Sequence, residues 1–187
     1  MQKRQGAPGD LDHVRRFVNT LEIDTATDDL ATPGQLRAWL VDEGLASPRT
    51  RVTRAEVDRA TALREALRQI LLAHNDGGDA PQDAWRMLDD LACRAGLGLR
   101  FDEGGGASVR PAAGGVDGAL GKLLAIVHAA IADGTWSRLK ACREPTCGWA
   151  FYDYTKNRSG AWCTMDVCGN RAKARAYRER RAASVGQ

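Results

Sequence analysis

The sequence predicts a mainly α-helical fold: a five-helix body with one small β-hairpin, followed by a small C-terminal module organised by cysteines. Apolar residues recur at helical spacing in five segments before residue 134, whereas Leu97–Phe101 and Ala107–Pro111 alternate with a period of two around Gly104–Gly106. Four of the five cysteines fall in the last quarter of the chain as two pairs of equal C-x4-C spacing. We therefore expect one apolar core with a small appendage.

The two cysteine pairs predict one closed, structural zinc site formed by Cys142, Cys147, Cys163 and Cys168. Structural Zn2+ prefers four soft ligands in tetrahedral geometry, and two short loops that each supply two thiolates meet that demand. Four thiolates leave no position for water, so the pattern does not indicate a catalytic zinc. Ligation contributes about 10–16 kcal/mol of apparent binding energy, so we expect the metal to fold this segment.

Disulfide pairing and a redox switch are the alternatives to a purely structural zinc site. Met1–Asp10 is polar and contains no apolar signal segment, so a cytoplasmic, reducing location is expected, where metal binding is favoured over disulfides. A site that loses its zinc on oxidation stays open as the second alternative.

Capping residues, prolines and glycines mark the ends of the predicted body helices. Thr53 and Glu56 have the spacing of a capping box, and Thr32-Pro33 supplies an N-cap followed by a proline at the first helical position. The five helices are predicted from Asp10, as N-cap, to about Glu22; from Thr32 to about Gly44; from Thr53 to just before Asn75; from Pro81 through Cys93; and over Leu120–Ile131, closing at Gly134.

The order of elements after residue 135 predicts a treble-clef-like zinc finger. Trp136–Ala141 favours a strand that enters the first cysteine pair, and Trp149–Tyr154 followed by 156–160 favours a hairpin that leads to the second pair. From Met165 onward the residues favour helix. Knuckle, hairpin and helix then follow in the order of a treble clef.

The charge is divided between the two parts of the chain. Residues 136–187 hold eleven Lys/Arg against four Asp/Glu, a net +7, whereas residues 1–135 have a net −4. The terminal helix carries most of the basic residues, namely Arg171, Lys173, Arg175, Arg178, Arg180 and Arg181. Three of these arginines, at 171, 175 and 178, lie on one face, where guanidinium groups can follow phosphates or read guanine edges in duplex DNA. A solvated charged tail is the alternative, and the zinc site directly upstream favours DNA binding instead.

Several motifs resemble one known family. Cys168-Gly169-Asn170-Arg171, preceded by Trp162-Cys163-Thr164-Met165, resembles the CGNR zinc-finger proteins. Further matches to that family are Phe151-Tyr152-Asp153 and, in its N-terminal ABATE domain, Phe17-Val18-Asn19-Thr20, Asp29-Leu30 and Trp39-Leu40. The resemblance implies a bacterial, stress-linked transcription regulator in which an ABATE domain (1–134) senses a small ligand and a CGNR zinc finger (135–187) binds DNA. The family's finger often has basic residues just before Trp-Cys; here Ser159–Ala161 stand there, which shifts the expected DNA contact to the helix.

The body offers only weak candidates for an effector site. Asn19 and Thr20 fall inside the first predicted helix, where polar side chains that face a bundle interior would suit a ligand, although they would equally suit water. A homodimer formed through the body would strengthen DNA binding.

The sequence contains no catalytic motif and no phosphate loop, so we do not expect an enzyme. The longest apolar run, Leu123–Ile131, is too short to span a bilayer, so no membrane association is expected. An RNA-binding or protein-interaction adaptor is the alternative function, because treble clefs perform all these roles.

Overall fold

The computed structural model describes residues 5–185, so the first four residues of the polar start and the last two of the predicted finger lie outside it. Within that range the protein is mostly helical and contains three antiparallel strand pairs, which confirms the mainly helical prediction. The helices are α1 (Leu11–Val18), α2 (Pro33–Asp42), α3 (Arg54–Asp76), α4 (Gln82–Ala95), α5 (Gly115–Ala132) and α6 (Asn170–Val185). The strands pair as β1 (Leu21–Glu22) with β2 (Thr27–Asp28), β3 (Leu97–Phe101) with β4 (Ala107–Pro111), and β5 (Leu139–Ala141) with β6 (Ala150–Tyr152).

Helix α1 is shorter than predicted, and the predicted continuation to Glu22 is wrong. The Thr20 hydroxyl donates to the Phe17 carbonyl at 2.7 Å, and the Asn19 N–H bonds to the Arg15 carbonyl, so local bonds close the helix at Val18. Beyond it the chain forms a β1–β2 hairpin that the sequence analysis did not predict. Threonine competes with the helical backbone in this way because its short polar side chain bonds a nearby carbonyl. At the other end, Asp10 precedes the helix as predicted but its side chain makes no capping bond.

The two strongest capping signals are confirmed. Thr53 and Glu56 form a complete capping box at the start of α3, with the Glu56 carboxylate 2.7 Å from the Thr53 nitrogen. The Thr32 side chain accepts from the Gln35 nitrogen at the start of α2, with Pro33 at the first helical position. Helix α3 ends where Gly77 takes a left-handed conformation, with φ of 74°.

Helix α3 is the centre of the apolar core. Leu63, Leu67 and Ile70 on this helix are fully buried, and they belong to one cluster with buried residues of α1, α2, α4 and α5. The same cluster continues past residue 134, because Leu139 and Ala150 of the β5–β6 pair are fully buried in it. The apolar core therefore does not end at the predicted domain boundary.

Helix α5 is long and apolar enough to cross a membrane by length and composition alone. Half of its 18 residues are buried inside the protein. It packs against α1 and α4, as a core helix does, and core helices of soluble proteins pass the same test.

Polar side chains of the body hold the β5–β6 pair by its backbone. The Asn75 amide on α3 donates to the carbonyls of Ala141 and Ala161 at 2.7 and 3.0 Å. Asn19 pairs with Ala150 twice, donating to its carbonyl at 2.9 Å and accepting from its N–H at 2.7 Å. The Asn19 amide thus continues the sheet at the free edge of β6, which fixes the orientation of the β5–β6 pair relative to the body.

We expect Asn19→Ala to lower the free energy of unfolding by about 1–3 kcal/mol, because both Ala150 backbone groups would be left unpaired in the interior. Urea denaturation followed by circular dichroism measures this change. Asn157→Ala is the matched control, since Asn157 is exposed and should change stability by less than about 0.5 kcal/mol. Equal stability of the two variants would contradict a structural role for Asn19.

Candidate metal centre and nucleic-acid interface

The first cysteine pair lies in the connection between β5 and β6. Cys142 follows the last residue of β5, and its N–H donates to the Trp149 carbonyl at 2.9 Å, which extends the strand ladder by one pair. The chain then turns back, with the Cys147 N–H bonded to the Glu144 carbonyl at 2.8 Å. Gly148 completes the turn with φ of 56°, and a Cβ there would lie only 2.7 Å from the Ile23 side chain. Glycine is thus required at this position both for conformation and for space.

The second cysteine pair lies at the start of the terminal helix. Cys163 precedes a π-helical turn, Met165–Gly169, and Cys168 lies within that turn. Helix α6 continues directly from the turn at Asn170. The direction of α6 is therefore set by a residue of the metal centre.

The four sulfurs fit one tetrahedral zinc ion. They all lie within 4.8 Å of one another, and the Cys147–Cys163 and Cys163–Cys168 Sγ distances are 3.6 and 3.7 Å. Zn–S bonds of about 2.3 Å at tetrahedral angles place sulfurs about 3.8 Å apart. Cys93, the remaining cysteine, is exposed on α4 and is not part of the cluster. The protein therefore holds one structural zinc through Cys142, Cys147, Cys163 and Cys168.

The thiol pKa values show why the cluster requires a cation. Hydrogen bonds from Cys147 and Cys163 lower the pKa of Cys142 to about 2. The hydrogen bonds of Cys163 with Cys142 and Cys147 instead raise the pKa of Cys163 far above the usual range. Burial, and then the charge of its neighbours, raises the pKa of Cys168 to about 12. Four sulfurs at these distances cannot all ionise unless a metal ion shares the charge. Ligation of one metal ion by four thiolates thus accounts for the short distances between the sulfurs.

A buried ion pair supports the finger behind the metal centre. Lys140 of β5 donates to Asp153 at 2.7 Å and to the carbonyls of Arg158 and Gly160 at 2.5 and 3.2 Å. The exposed fractions of Lys140 and Asp153 are only 4% and 2%. Burial disfavours the ionised form of Asp153, but hydrogen bonds from Lys140 and Thr155 outweigh it and lower the pKa of Asp153 to about 2. The loop 155–160 is consequently tied to β5, rather than forming the hairpin predicted there.

The six basic residues predicted to bind DNA all lie on α6, but they are not equivalent. Arg175 is paired with Glu144, whose exposed fraction is only 4%, through bonds of 3.0 and 3.2 Å from one guanidinium nitrogen. Arg171 is paired with Asp24 of the β1–β2 turn at 3.1 Å, and both of these side chains are about half exposed. The other four residues, Lys173, Arg178, Arg180 and Arg181, are exposed.

The two candidate effector residues do not lie inside a helix, and that part of the prediction is wrong. Asn19 follows α1, and its side-chain amide is hydrogen-bonded to the backbone of Ala150. Thr20 is buried, and its hydroxyl lies 3.3 Å from the Arg64 guanidinium. Their binding of an effector stays a prediction.

Sequence reasoning missed the acidic and polar partners of the finger. Asp24, Glu144 and Lys140 were not singled out, and neither was Asn75. Only Lys140 had a sequence signal, as a lysine between two apolar residues of a short predicted strand.

Cys147→Ser should abolish the binding of one zinc per chain, because a serine hydroxyl does not replace a thiolate ligand. The body helices should keep most of their circular dichroism, although with a lower Tm, because β5 and β6 share the body's core. Zinc content is measured by metal analysis of the purified chain. Cys93→Ser is the control and should keep one zinc; full zinc retention by Cys147→Ser would contradict the ligand set.

Asp153→Asn should destabilise the finger by about 3–5 kcal/mol, because it leaves the Lys140 ammonium buried without a counter-charge. Denaturation followed by tryptophan fluorescence reports the change, since Trp149 and Trp162 flank the β6 strand and its loop. Asp166→Asn, at an exposed aspartate of the π-helical turn, is the control with unchanged stability. If Asp153→Asn lowers the free energy of unfolding no more than Asp166→Asn does, the buried Lys140 does not need Asp153 as its countercharge.

Two family models match the chain, and together they cover most of it. Residues 12–134 match the ABATE model, described as "Putative stress-induced transcription regulator", and residues 138–181 match the CGNR zinc finger. No curated protein matches the sequence. The families are regulatory and metal-binding, and neither is described as enzymatic. Because the first match spans more than half of the chain and the second contains the four clustered thiols, the chain belongs to the ABATE family and ends in a CGNR zinc finger.

Proposed function

We propose that the protein is a cytoplasmic transcription regulator that binds double-stranded DNA through its zinc finger and senses a signal through its body. In this proposal the finger has a treble-clef arrangement, with the β5–β6 connection as its knuckle and α6 as its helix. Residues 1–134 form the sensing domain and 135–187 the finger.

The exposed basic surface of α6 carries the proposal. Lys173, Arg178 and Arg180 are exposed, and the helix that holds them continues directly from the π-helical turn that contains the zinc ligand Cys168. An anchored helix loses less entropy on binding than a free tail, because its backbone is already ordered. The net charge of +7 on residues 136–187 adds long-range attraction to a polyanion. Arg178 and Arg180 are assigned to phosphates, together with Lys173 and Arg181.

Arg171 and Arg175 are assigned different roles. Arg175 neutralises Glu144, which is nearly fully buried, so it positions α6 on the first knuckle and removing it would leave a buried charge. Arg171 is exposed near the zinc-held start of the helix, and its pair with Asp24 is an exposed ion pair, which water and salt weaken. Arg171 can therefore exchange Asp24 for a base edge at small cost, and we assign it to base recognition.

The body offers a surface for a small-molecule effector or for a homodimer. A groove of about 900 Å³ lies between the β3–β4 hairpin and α5, lined mainly by apolar residues that include Leu99, Val109 and Ile126. Phe101 and Ile131 nearby are 78% and 53% exposed. This groove supports both proposals better than Asn19 and Thr20 do, because the side chains of those two residues are already bonded within the protein.

Salt titration of duplex binding tests the proposal. A finger that neutralises four to six phosphates should give a log–log salt slope of about −4 to −5, and Arg178→Ala/Arg180→Ala should reduce its magnitude by about 1.8. Arg37→Ala/Arg51→Ala makes the same charge change at two exposed arginines of the body and should leave the slope unchanged. Arg171→Ala should cost about 1–3 kcal/mol on the preferred sequence and little on a scrambled duplex.

Equal slopes for wild type and both double variants would contradict DNA binding by α6. The alternative is then an RNA-binding or protein-interaction adaptor. One observation favours that alternative: Met165 and Val167 in the π-helical turn and Tyr177 on α6 are large, mainly hydrophobic side chains that are 46–57% exposed. Retention of the wild type on structured RNA rather than duplex DNA, or on neither, distinguishes the two forms of adaptor.

A further inference from the structure

A cavity lies between the finger and the start of the body, next to the metal centre. Its volume is about 350 Å³, which is within the lower range of small-ligand sites. Five aromatic residues line it: Trp149, Phe151, Tyr152, Tyr154 and Trp162. These five are nearly half of the eleven aromatic residues of the whole chain, and they fall within 14 positions of the sequence. Such a concentration of rings around one opening is typical of a site that stacks a planar ring.

The aromatic rings remain accessible. Tyr154 is 48% exposed, and its ring centroid lies 4.7 Å from that of Tyr152 at an interplanar angle of 60°. The Tyr154 hydroxyl donates to the Gly6 carbonyl at 2.8 Å, which holds the ring at the edge of the cavity. Tyr154 is thus fixed in place with about half of its surface open to a ligand.

The charged residues that line the cavity, among those the structure describes, are already paired. Arg15 bonds Asp12 at 2.6 and 3.2 Å, and Asp153 bonds Lys140 at 2.7 Å. An ionic ligand would find no unpaired countercharge at these two positions. The cavity therefore suits an uncharged planar ring.

A basic loop borders this neutral cavity. Thr155 and Gly160, the two ends of the loop, line the opening, and Lys156 and Arg158 between them are exposed. Lys140 holds the Arg158 carbonyl inward at 2.5 Å, where Arg158 has a φ of 52°. The loop thus places cations beside the aromatic rings. Proteins that bind single-stranded nucleic acid combine these two features.

We propose that the aromatic cavity of the finger takes one unpaired base of DNA, with the sugar-phosphate backbone held by Lys156 and Arg158. An uncharged ring with a charged chain attached matches a neutral aromatic site with a cationic border. The cavity reaches α6 through Thr164, which lines it and directly precedes the π-helical turn. The inference rests on the proposed DNA binding and adds to it a preference for DNA that contains an unpaired or extruded base.

Fluorescence anisotropy with three labelled DNAs tests this inference: a perfect duplex, the same duplex with one extra unpaired base, and the single strand. The zinc-loaded full chain should bind the duplex with the unpaired base about tenfold more tightly than the perfect duplex, the scale of one base stacked on an aromatic side chain. Tyr154→Ala should remove this preference, whereas Tyr154→Phe should keep most of it, because the stacking ring stays and only the hydrogen bond to Gly6 is lost. Lys156→Ala should weaken binding of the unpaired-base duplex and reduce the salt slope by about one unit.

Trp85→Ala is the matched control, since Trp85 is an aromatic residue of α4 that is 41% exposed and does not line the cavity. It should leave all three affinities unchanged. Zinc content and circular dichroism verify that Tyr154→Ala still folds, and Lys156→Ala supplies a test that does not disturb the cavity.

Equal affinity of the wild type for perfect and unpaired-base duplexes would overturn the inference while leaving duplex binding by α6 in place. Loss of the preference in Trp85→Ala, or its persistence in Tyr154→Ala, would overturn it as well. Failure of the wild type to bind any of the three DNAs would overturn the proposed function itself.

Discussion

The charge balance between four thiolates and one divalent cation is the constraint on which the C-terminal part of the structure depends. The sulfurs lie within 4.8 Å of one another, so their mutual repulsion in the ionised state must be offset by the metal. The first pair lies in the short connection between β5 and β6, and the second pair lies at the π-helical turn that precedes α6. Zinc therefore fixes the connection between β5 and β6 to the start of α6, and through Cys168 it determines the direction of the basic helix.

Helix α3 is the second support of the finger. Its Leu63, Leu67 and Ile70 form the centre of the core, while Asn75 near its C-terminal end bonds the backbone at Ala141 and Ala161. The finger is thus attached to the body by buried apolar contacts and by hydrogen bonds to main-chain atoms, not by a flexible linker. A change in the packing of the body would reach the finger through α3, and this contact is the physical route by which the proposed sensing in the body would alter the position of α6.

The basic residues of α6 differ because their partners differ in burial. Glu144 is 4% exposed, so its pair with Arg175 is fixed by the cost of leaving a buried carboxylate unpaired. Asp24 and Arg171 are about half exposed, so water and salt weaken their attraction and the pair can open. Arg175 therefore has a structural role, whereas Arg171, four residues earlier, can leave its partner and bind another group.

The sequence by itself determined those features that arise from residues close together in the chain. The capping box of Thr53 and Glu56, the period-two pattern of Leu97–Phe101 and the C-x4-C spacing each depend on a few neighbouring residues, and each is present in the structure. Local spacing was insufficient at Asn19, because its amide bonds Ala150 across 131 positions, and at Arg171, because Asp24 lies 147 positions away. Only the tertiary structure decides such pairs, since polar side chains take whichever partner the packing of distant elements brings within about 3 Å. The same holds for the aromatic cavity: the sequence places its rings near one another along the chain, but folding against α1 is what turns them into one site.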